Sequence, residues 1–182
     1  MKHKKLSRVD QQVSLLLAII LCFFGIAIYF VSTHIYYRAI IQSLTHRVDN
    51  IHNYIEHQLT PDDFLEINSR ADMSKTSYQS LKNILEEIRE LSDLRYLYTA
   101  KREPNGDFVY VVDGLPDNAA DFRYPGDLIE SEIQNELSRA LNGEIVLPDK
   151  ILDTDWGYIF IAYYPLHDES GNVVGALGLE IS

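Results

Sequence analysis

Residues 13–31 read VSLLLAIILCFFGIAIYFV, and the rest of the chain is organised around this stretch. Its nineteen residues include no Asp, Glu, Lys, Arg, Asn or Gln. At about 1.5 Å per residue, a helix of this length spans roughly 28 Å, close to the thickness of the hydrocarbon core of a bilayer. The stretch therefore predicts a transmembrane helix.

The charges around residues 13–31 predict how this helix is oriented. Basic residues precede it at Lys2, Lys4, Lys5 and Arg8, and the next one is Arg38. The positive-inside tendency places residues 1–12 in the cytoplasm and residues 32–182 outside it. A cleaved signal peptide is the alternative, but its apolar region is shorter and ends in small residues, which the sequence after Val31 does not match. We therefore expect an uncleaved anchor, with a single span in this chain, in the inner or plasma membrane.

The region after the predicted span is strongly acidic. From Ser32 onward the chain has 12 basic and 26 acidic side chains, a net charge of −14. A surface of this sign repels phosphates, so the composition argues against nucleic-acid binding. Cys22 is the only cysteine and lies in the predicted span. An intrachain disulfide is therefore excluded, and so is cysteine catalysis in the outer domain.

A long helix is predicted to continue out of the membrane to about Leu59. Apolar residues recur along it at spacings of three and four, at Ile41, Leu44, Val48, Ile51 and Ile55. This seam is typical of a helix that pairs with its twin in a dimer, and equally of one that packs on its own domain. The histidines of this helix lack the i, i+4 spacing of a metal pair and are expected to face solvent.

The remaining pattern predicts an α+β domain with an antiparallel sheet of about five strands. Ser77–Leu91 has the apolar stripe of a helix, and a second helix is predicted from a cap at Asp127 to Leu141. Asn105-Gly106 predicts a tight hairpin turn between two strands. Strands are predicted over Trp156–Leu166 and Val173–Ile181, and Gly175 and Gly178 leave room there for close packing.

The sequence contains no motif that indicates catalysis. Nucleophile elbows, zinc-protease helices, phosphate-binding loops and paired-cysteine motifs are all absent. His167 is the only histidine near the predicted sheet, and it lies in a predicted turn. We expect a segment that is not an enzyme and that uses neither a cofactor nor a bound metal.

Aromatic residues concentrate in the predicted strands, where some would form core and others would line a pocket. Arg123 and Asp113 flank this region and are predicted to clamp a carboxylate and an amine, respectively. The candidate ligand-binding residues are Tyr98, Tyr110, Asp113, Arg123, Tyr124, Trp156 and Tyr158.

Three pieces of sequence resemble a known family. They are YVVDG at residues 110–114, PGD at residues 125–127, and WG followed by AYYPLHDESGNVVGALGLEI near the end of the chain. With their surroundings over residues 96–182, they resemble the single-Cache, PAS-like sensor domains of bacterial transmembrane receptors. The resemblance implies a central antiparallel sheet with the long helix along one side and a ligand on the other. The Arg–Trp-Tyr pattern of amino-acid-binding double-Cache relatives is absent.

The resemblance implies a receptor that senses a small molecule outside the cytoplasm and signals across the membrane. A second span and an output domain, such as a diguanylate cyclase or a histidine kinase, are expected after residue 182. A homodimer through the long helix is the expected assembly. Two alternatives remain: a cation or polyamine sensor that uses the acidic surface, and an anchored dimeric module that docks a protein partner.

Overall fold

A computed structural model describes residues 8–148, 150–154 and 157–181 of the chain. The chain divides into two units, Met1–Ser43 and Leu44–Ser182. Helix α1, Arg8–Gln58, begins in the first unit and ends in the second, as the predicted continuation to about Leu59 requires. Among the described residues, one helix is long and apolar enough to cross a membrane, and it is α1.

The large apolar side chains of residues 13–31 are exposed. Leu21 is 71% exposed and Phe23 is 68% exposed, and the described part of this unit consists of α1 alone. Exposure of so much contiguous apolar surface is unfavourable in water and favourable in a hydrocarbon environment. The unit therefore has the composition and the exposure of a membrane helix.

The second unit contains the remaining helices and all the described strands. The helices are α2 (Pro61–Leu65), α3 (Thr76–Leu91) and α4 (Gln134–Leu141), with a 3-10 turn at Arg70–Ser74. The strands are β1 (Tyr96–Arg102), β2 (Phe108–Asp113), β3 (Leu152–Thr154), β4 (Gly157–His167) and β5 (Val173–Ile181). Every pairing is antiparallel, and the order is β2-β1-β5-β4-β3. The predicted α+β class is confirmed, with four main strands and the short β3 paired to β4 at one edge.

One face of the sheet packs against the end of α1. Val48 and Ile55 are completely buried, and the ring of His52 stacks on Tyr164 at a centroid distance of 4.6 Å. The Tyr164 hydroxyl also donates a hydrogen bond to Asp49 Oδ1 at 2.6 Å. This part of the apolar seam is therefore occupied by the chain's own domain.

The prediction that the histidines of α1 face solvent is wrong for His52. This residue is only 7% exposed, and its Nε2 lies 3.0 Å from the Pro165 carbonyl oxygen. The carbonyl gives the ring a polar partner inside the core, which is the usual condition for burying an imidazole.

Helix α4 covers part of the opposite face and starts later than predicted. The capping role assigned to Asp127 is wrong, because its carboxylate accepts a hydrogen bond from the Tyr124 backbone N–H at 2.8 Å. Residues 127–129 instead lie along β2, where Ile129 N–H donates to the Phe108 carbonyl oxygen at 2.9 Å. These backbone bonds hold the segment extended, so that the helix begins only at Gln134. Leu137 and Ala140 of α4 are then completely buried.

Candidate functional site

The strand register assembles a floor on the face of the sheet that α4 leaves partly open. Tyr98 of β1 is paired with Asp113 of β2 on one side and with Gly178 of β5 on the other. Gly178 is in turn paired with Tyr163 of β4. Directly paired residues point to the same side of a sheet, so these four positions form one row across four strands. The next row on this face consists of Tyr96, Glu180 and Ile161.

Gly178 lets the ring of Tyr98 lie flat against the floor. A Cβ atom at this position would be 2.5 Å from Cζ of Tyr98, closer than two carbon atoms can approach. Gly175 does the same for Phe64 of α2, whose Cε1 would be 2.6 Å from a Cβ. The close packing predicted at both glycines is confirmed, and each accommodates an aromatic ring.

A loop between β2 and α4 forms the other wall, and Asp113 holds the start of this loop. Its Oδ1 accepts the Leu115 backbone N–H and its Oδ2 accepts the Arg123 backbone N–H, both at 2.9 Å. Burial raises the pKa of Asp113, while these two hydrogen bonds and the nearby cations Lys82 and Arg123 oppose the rise. Further along the loop, Asp121 Oδ2 accepts a hydrogen bond from the Tyr96 hydroxyl at 2.9 Å.

Glu130 joins the loop to the floor. Its Oε2 accepts the Tyr110 hydroxyl at 2.6 Å, and its Oε1 accepts Nε of Arg123 at 2.9 Å. Burial tends to raise the pKa of Glu130, but the hydrogen bonds from Tyr110 and Arg123 outweigh it and lower the pKa. Burial and the bond to Glu130 raise the pKa of Tyr110. The glutamate is therefore charged at neutral pH, and Tyr110 is the donor.

Between the floor and the loop lies a cavity of about 230 Å³. It is lined by Tyr96, Tyr98, Tyr110, Asp113, Asp121, Arg123, Glu130, Ile133, Ile161, Tyr163, Leu179 and Glu180. Ile133, Ile161 and Tyr163 also line a second cavity beneath Leu147 and Pro148. Because the two cavities share these walls, they adjoin along the sheet.

The structure brings together four of the seven predicted site residues. Tyr98, Tyr110, Asp113 and Arg123 line the first cavity. Tyr124 lies outside this lining, and Cζ of Arg70 lies over its ring, 3.9 Å from the ring centroid. Tyr158 is 70% exposed, so it belongs neither to the core nor to this cavity. Trp156 lies outside the described residues.

The predicted clamp roles of Arg123 and Asp113 stay predictions. In the structure both groups have partners within the chain, because Arg123 contacts Glu130 and Asp113 binds two backbone N–H groups. The sequence reasoning also missed Tyr96, Asp121, Glu130, Tyr163 and Glu180. Glu180 had a usable signal, since it is an acidic residue within an apolar strand.

Glu180 makes stability depend on pH in a direction that can be measured. Burial raises its pKa, although Arg95, whose Nη1 lies 3.4 Å from Oε1, opposes the rise. The folded state thus binds more protons than the unfolded state between the ordinary and the raised pKa, and stability falls as the pH rises through this window. Glutamine does not titrate, so the Tm of Glu180→Gln minus that of the wild type should increase between about pH 4 and pH 7.

Differential scanning fluorimetry of the two proteins over this pH range checks the prediction. Glu87→Gln is the matched control, because Glu87 is exposed on α3 and outside the cavity. The increase for Glu180→Gln should exceed any change seen for Glu87→Gln. A Tm difference for Glu180→Gln that does not rise with pH, or that rises equally for both variants, would contradict the prediction.

Comparison with known proteins gives similar structures but no sequence family. No family model and no curated protein matches the sequence. The sensory domain of the Campylobacter jejuni chemoreceptor Tlp3 is 17% identical, with a TM-score of 0.44 over 78% of this chain and 56% of that chain. The sensor domain of the V. cholerae histidine kinase DctB is 11% identical, with a TM-score of 0.47 over 80% of this chain and 57% of that chain. The E. coli DcuS sensor domain is 16% identical, with a TM-score of 0.40 over 71% of this chain and 92% of that chain. The chain thus spans a little over half the length of the Tlp3 and DctB structures, and all three structures are sensor domains.

Proposed function

We propose that this chain is the membrane anchor and extracytoplasmic sensor domain of a signalling receptor. The cavity of about 230 Å³ between the sheet and the β2–α4 loop is the observation that carries the proposal. A small number of directed polar groups around aromatic walls is the usual composition of a small-molecule site. The described lining contains no serine, cysteine or histidine, and so no Ser–His or Cys–His pair of the kind that activates a nucleophile.

The anchor supports the extracytoplasmic location. Basic residues precede the apolar part of α1, and acidic residues dominate after it. The positive-inside tendency then leaves the second unit on the outer side of the membrane. A cytoplasmic output domain completes such a receptor, and the sequence resemblance favours a diguanylate cyclase ahead of a histidine kinase or a chemoreceptor.

Adjacent residues of β4 offer a route from the cavity to α1. Tyr163 lines the cavity, and Tyr164, the next residue, points to the other face and donates to Asp49 of α1. A ligand that prefers one position of β4 would therefore favour one arrangement of the α1 contact. The signal is a shift between two populations, and its size is limited by the difference in ligand affinity for them.

Dimerisation remains part of the proposal, but along a segment of α1 that precedes the apolar seam. Val48, Ile51 and Ile55 are buried in the domain and are unavailable to a second copy. Further towards the membrane, Ile35 and Tyr36 of α1 are 62% and 70% exposed. A twin helix would pair along this segment.

A thermal-shift screen of the full chain in detergent micelles tests the proposal. Organic acids, amino acids, purines and polyamines form the panel, and a true ligand raises the Tm in a saturable way. Ile161→Trp should abolish the shift, because Ile161 lines the cavity and indole would fill it. Tyr158→Trp, an exposed position on the same strand, should preserve it. A panel without any saturable shift, or a shift that survives Ile161→Trp, would refute the proposed site.

A further inference from the structure

We infer that the cavity recognises a ligand through a protonated amine, as in a diamine or an amino compound with a free ammonium group. This inference rests on the proposed function, because it names the chemical class of ligand for the same cavity. It depends on three features of the lining: the sign of its charge, the direction of its hydrogen bonds and the faces of its tyrosines.

The charges of the lining favour a cation. Asp113, Asp121, Glu130 and Glu180 are acidic, and Arg123 is the one basic residue among the described lining side chains. Arg123 is held by Glu130, whose Oε1 lies 2.6 Å from an Nη atom and 2.9 Å from Nε. A dicarboxylate would have to compete with Glu130 for this guanidinium in the presence of three further acids. An ammonium group would share Glu180 with Arg95, whose Nη1 lies 3.4 Å from Oε1, whereas Asp121 accepts the uncharged hydroxyl of Tyr96.

Two tyrosine hydroxyls of the lining donate hydrogen bonds to its carboxylates, which can accept more hydrogen bonds than they receive from these tyrosines. Tyr96 donates its only hydroxyl hydrogen to Asp121, and Tyr110 donates its hydroxyl hydrogen to Glu130. Each carboxylate has about four acceptor sites, so Asp121 keeps acceptor capacity besides its bond from Tyr96, and Glu180 keeps it besides its contact with Arg95. The complementary ligand group is one with several donors and no acceptor, which describes an ammonium group.

Tyrosine rings form the floor on which such a group would rest. Tyr98 and Tyr110 meet edge to face with centroids 5.1 Å apart, and both line the cavity. The face of an aromatic ring carries negative charge and attracts a cation placed over it. The same faces give no comparable attraction to a carboxylate. All three features therefore select the same ligand group.

Three four-carbon compounds that differ in their charged ends test the inference. They are 1,4-diaminobutane, 4-aminobutanoate and succinate, titrated by calorimetry into the full chain in nanodiscs of neutral lipid. Neutral lipid prevents the diamine from binding the bilayer itself. We expect 1,4-diaminobutane to bind tightest, at least about tenfold tighter than 4-aminobutanoate, the ratio for one charge-assisted hydrogen bond. Succinate should bind weakest.

Variants separate the cavity from the acidic surface of the domain. Asp121→Asn and Glu180→Gln each remove one charge from the lining and should weaken diamine binding. Asp62→Asn and Glu87→Gln remove the same charge from exposed positions outside the cavity and should leave binding unchanged. If diamine binding weakens equally in the cavity variants and in the control variants, the inference is overturned, and the diamine is attracted by the acidic surface as a whole.

The remaining outcomes distinguish this inference from the proposed function. Tight succinate binding that Arg123→Ala abolishes would overturn the amine inference and support a ligand-binding cavity. Binding of none of the three compounds would also overturn the inference, and the wider screen would then decide the proposed function by itself.

Discussion

Replacing Asp113 by alanine is expected to lower the free energy of unfolding by about 2–4 kcal/mol, because two hydrogen bonds to a charged group are lost together. The Asp113 side chain is 3% exposed, and it accepts the backbone N–H groups of Leu115 and Arg123 at 2.9 Å each. Leu115 is itself buried, so that its freed N–H would have little access to water. Equilibrium unfolding in urea measures the loss directly.

The same substitution should also weaken ligand binding, because Asp113 fixes the loop that carries Asp121 and Arg123. Asp117→Ala is the matched control on this loop. Its side chain is 60% exposed and 3.6 Å from Lys82, so the change should cost less than about 1 kcal/mol. Asp113→Asn keeps one acceptor oxygen, so its loss in the free energy of unfolding should lie between those of Asp113→Ala and Asp117→Ala. Equal stability of Asp113→Ala and Asp117→Ala would refute the anchoring role.

Gly178→Ala is expected to lower ligand affinity by at least about tenfold and to cost about 1–3 kcal/mol of stability, the usual range for overpacking. The new methyl group would lie 2.5 Å from Cζ and 2.8 Å from the hydroxyl oxygen of Tyr98. Since the backbone of β5 is fixed by pairing on both sides, the ring of Tyr98 must move. The space available to it is the cavity, so the displaced ring would occupy the volume of the ligand.

Gly175→Ala provides the control for Gly178→Ala. It lies on the same strand, and its methyl group would be 2.6 Å from Cε1 of Phe64 on the other face of the sheet. We expect a similar loss of stability with unchanged ligand affinity. Chemical denaturation and calorimetry on both variants separate the two effects. Equal loss of affinity in both would show that binding follows overall stability and not the position of Tyr98.

Local patterns in the sequence were sufficient to predict several of the helices, strands and turns of the fold. The length of the apolar run at residues 13–31 and the helical spacing of the stripe in Ser77–Leu91 predict helices, and the structure has helices at both places. Gly106 has a φ of +95° in the turn between β1 and β2, as the Asn-Gly pair predicts. β5 has the predicted bounds, Val173–Ile181. Each of these features depends only on residues that are close together in the chain, so it can be predicted from the sequence alone.

Contacts between distant segments were beyond the reach of such patterns. The end of α1 could pair with a twin or with its own sheet, and only the position of Tyr164, more than a hundred residues later, decides where His52 packs. In the same way, the partner of Arg123 is Glu130, a residue within the predicted second helix. The sequence can place a charged side chain near an expected pocket. It does not show whether that side chain forms an ion pair within the chain, or with which residue.

The clearest case is the side of the sheet to which β2 presents its residues. Simple alternation places Tyr110 and Asp113 on opposite faces, because they are three residues apart. The register of β2 against β1 shifts between Thr99 and Ala100, so Tyr98 is paired with Asp113 while Ala100 is paired with Tyr110. This extra residue on β2 is a bulge that turns both side chains to the cavity. The sequence determined by itself that a long apolar helix is followed by an α+β domain rich in strand tyrosines. Only the tertiary structure decided which of these residues share a cavity, because strand register is set by contacts across the whole sheet.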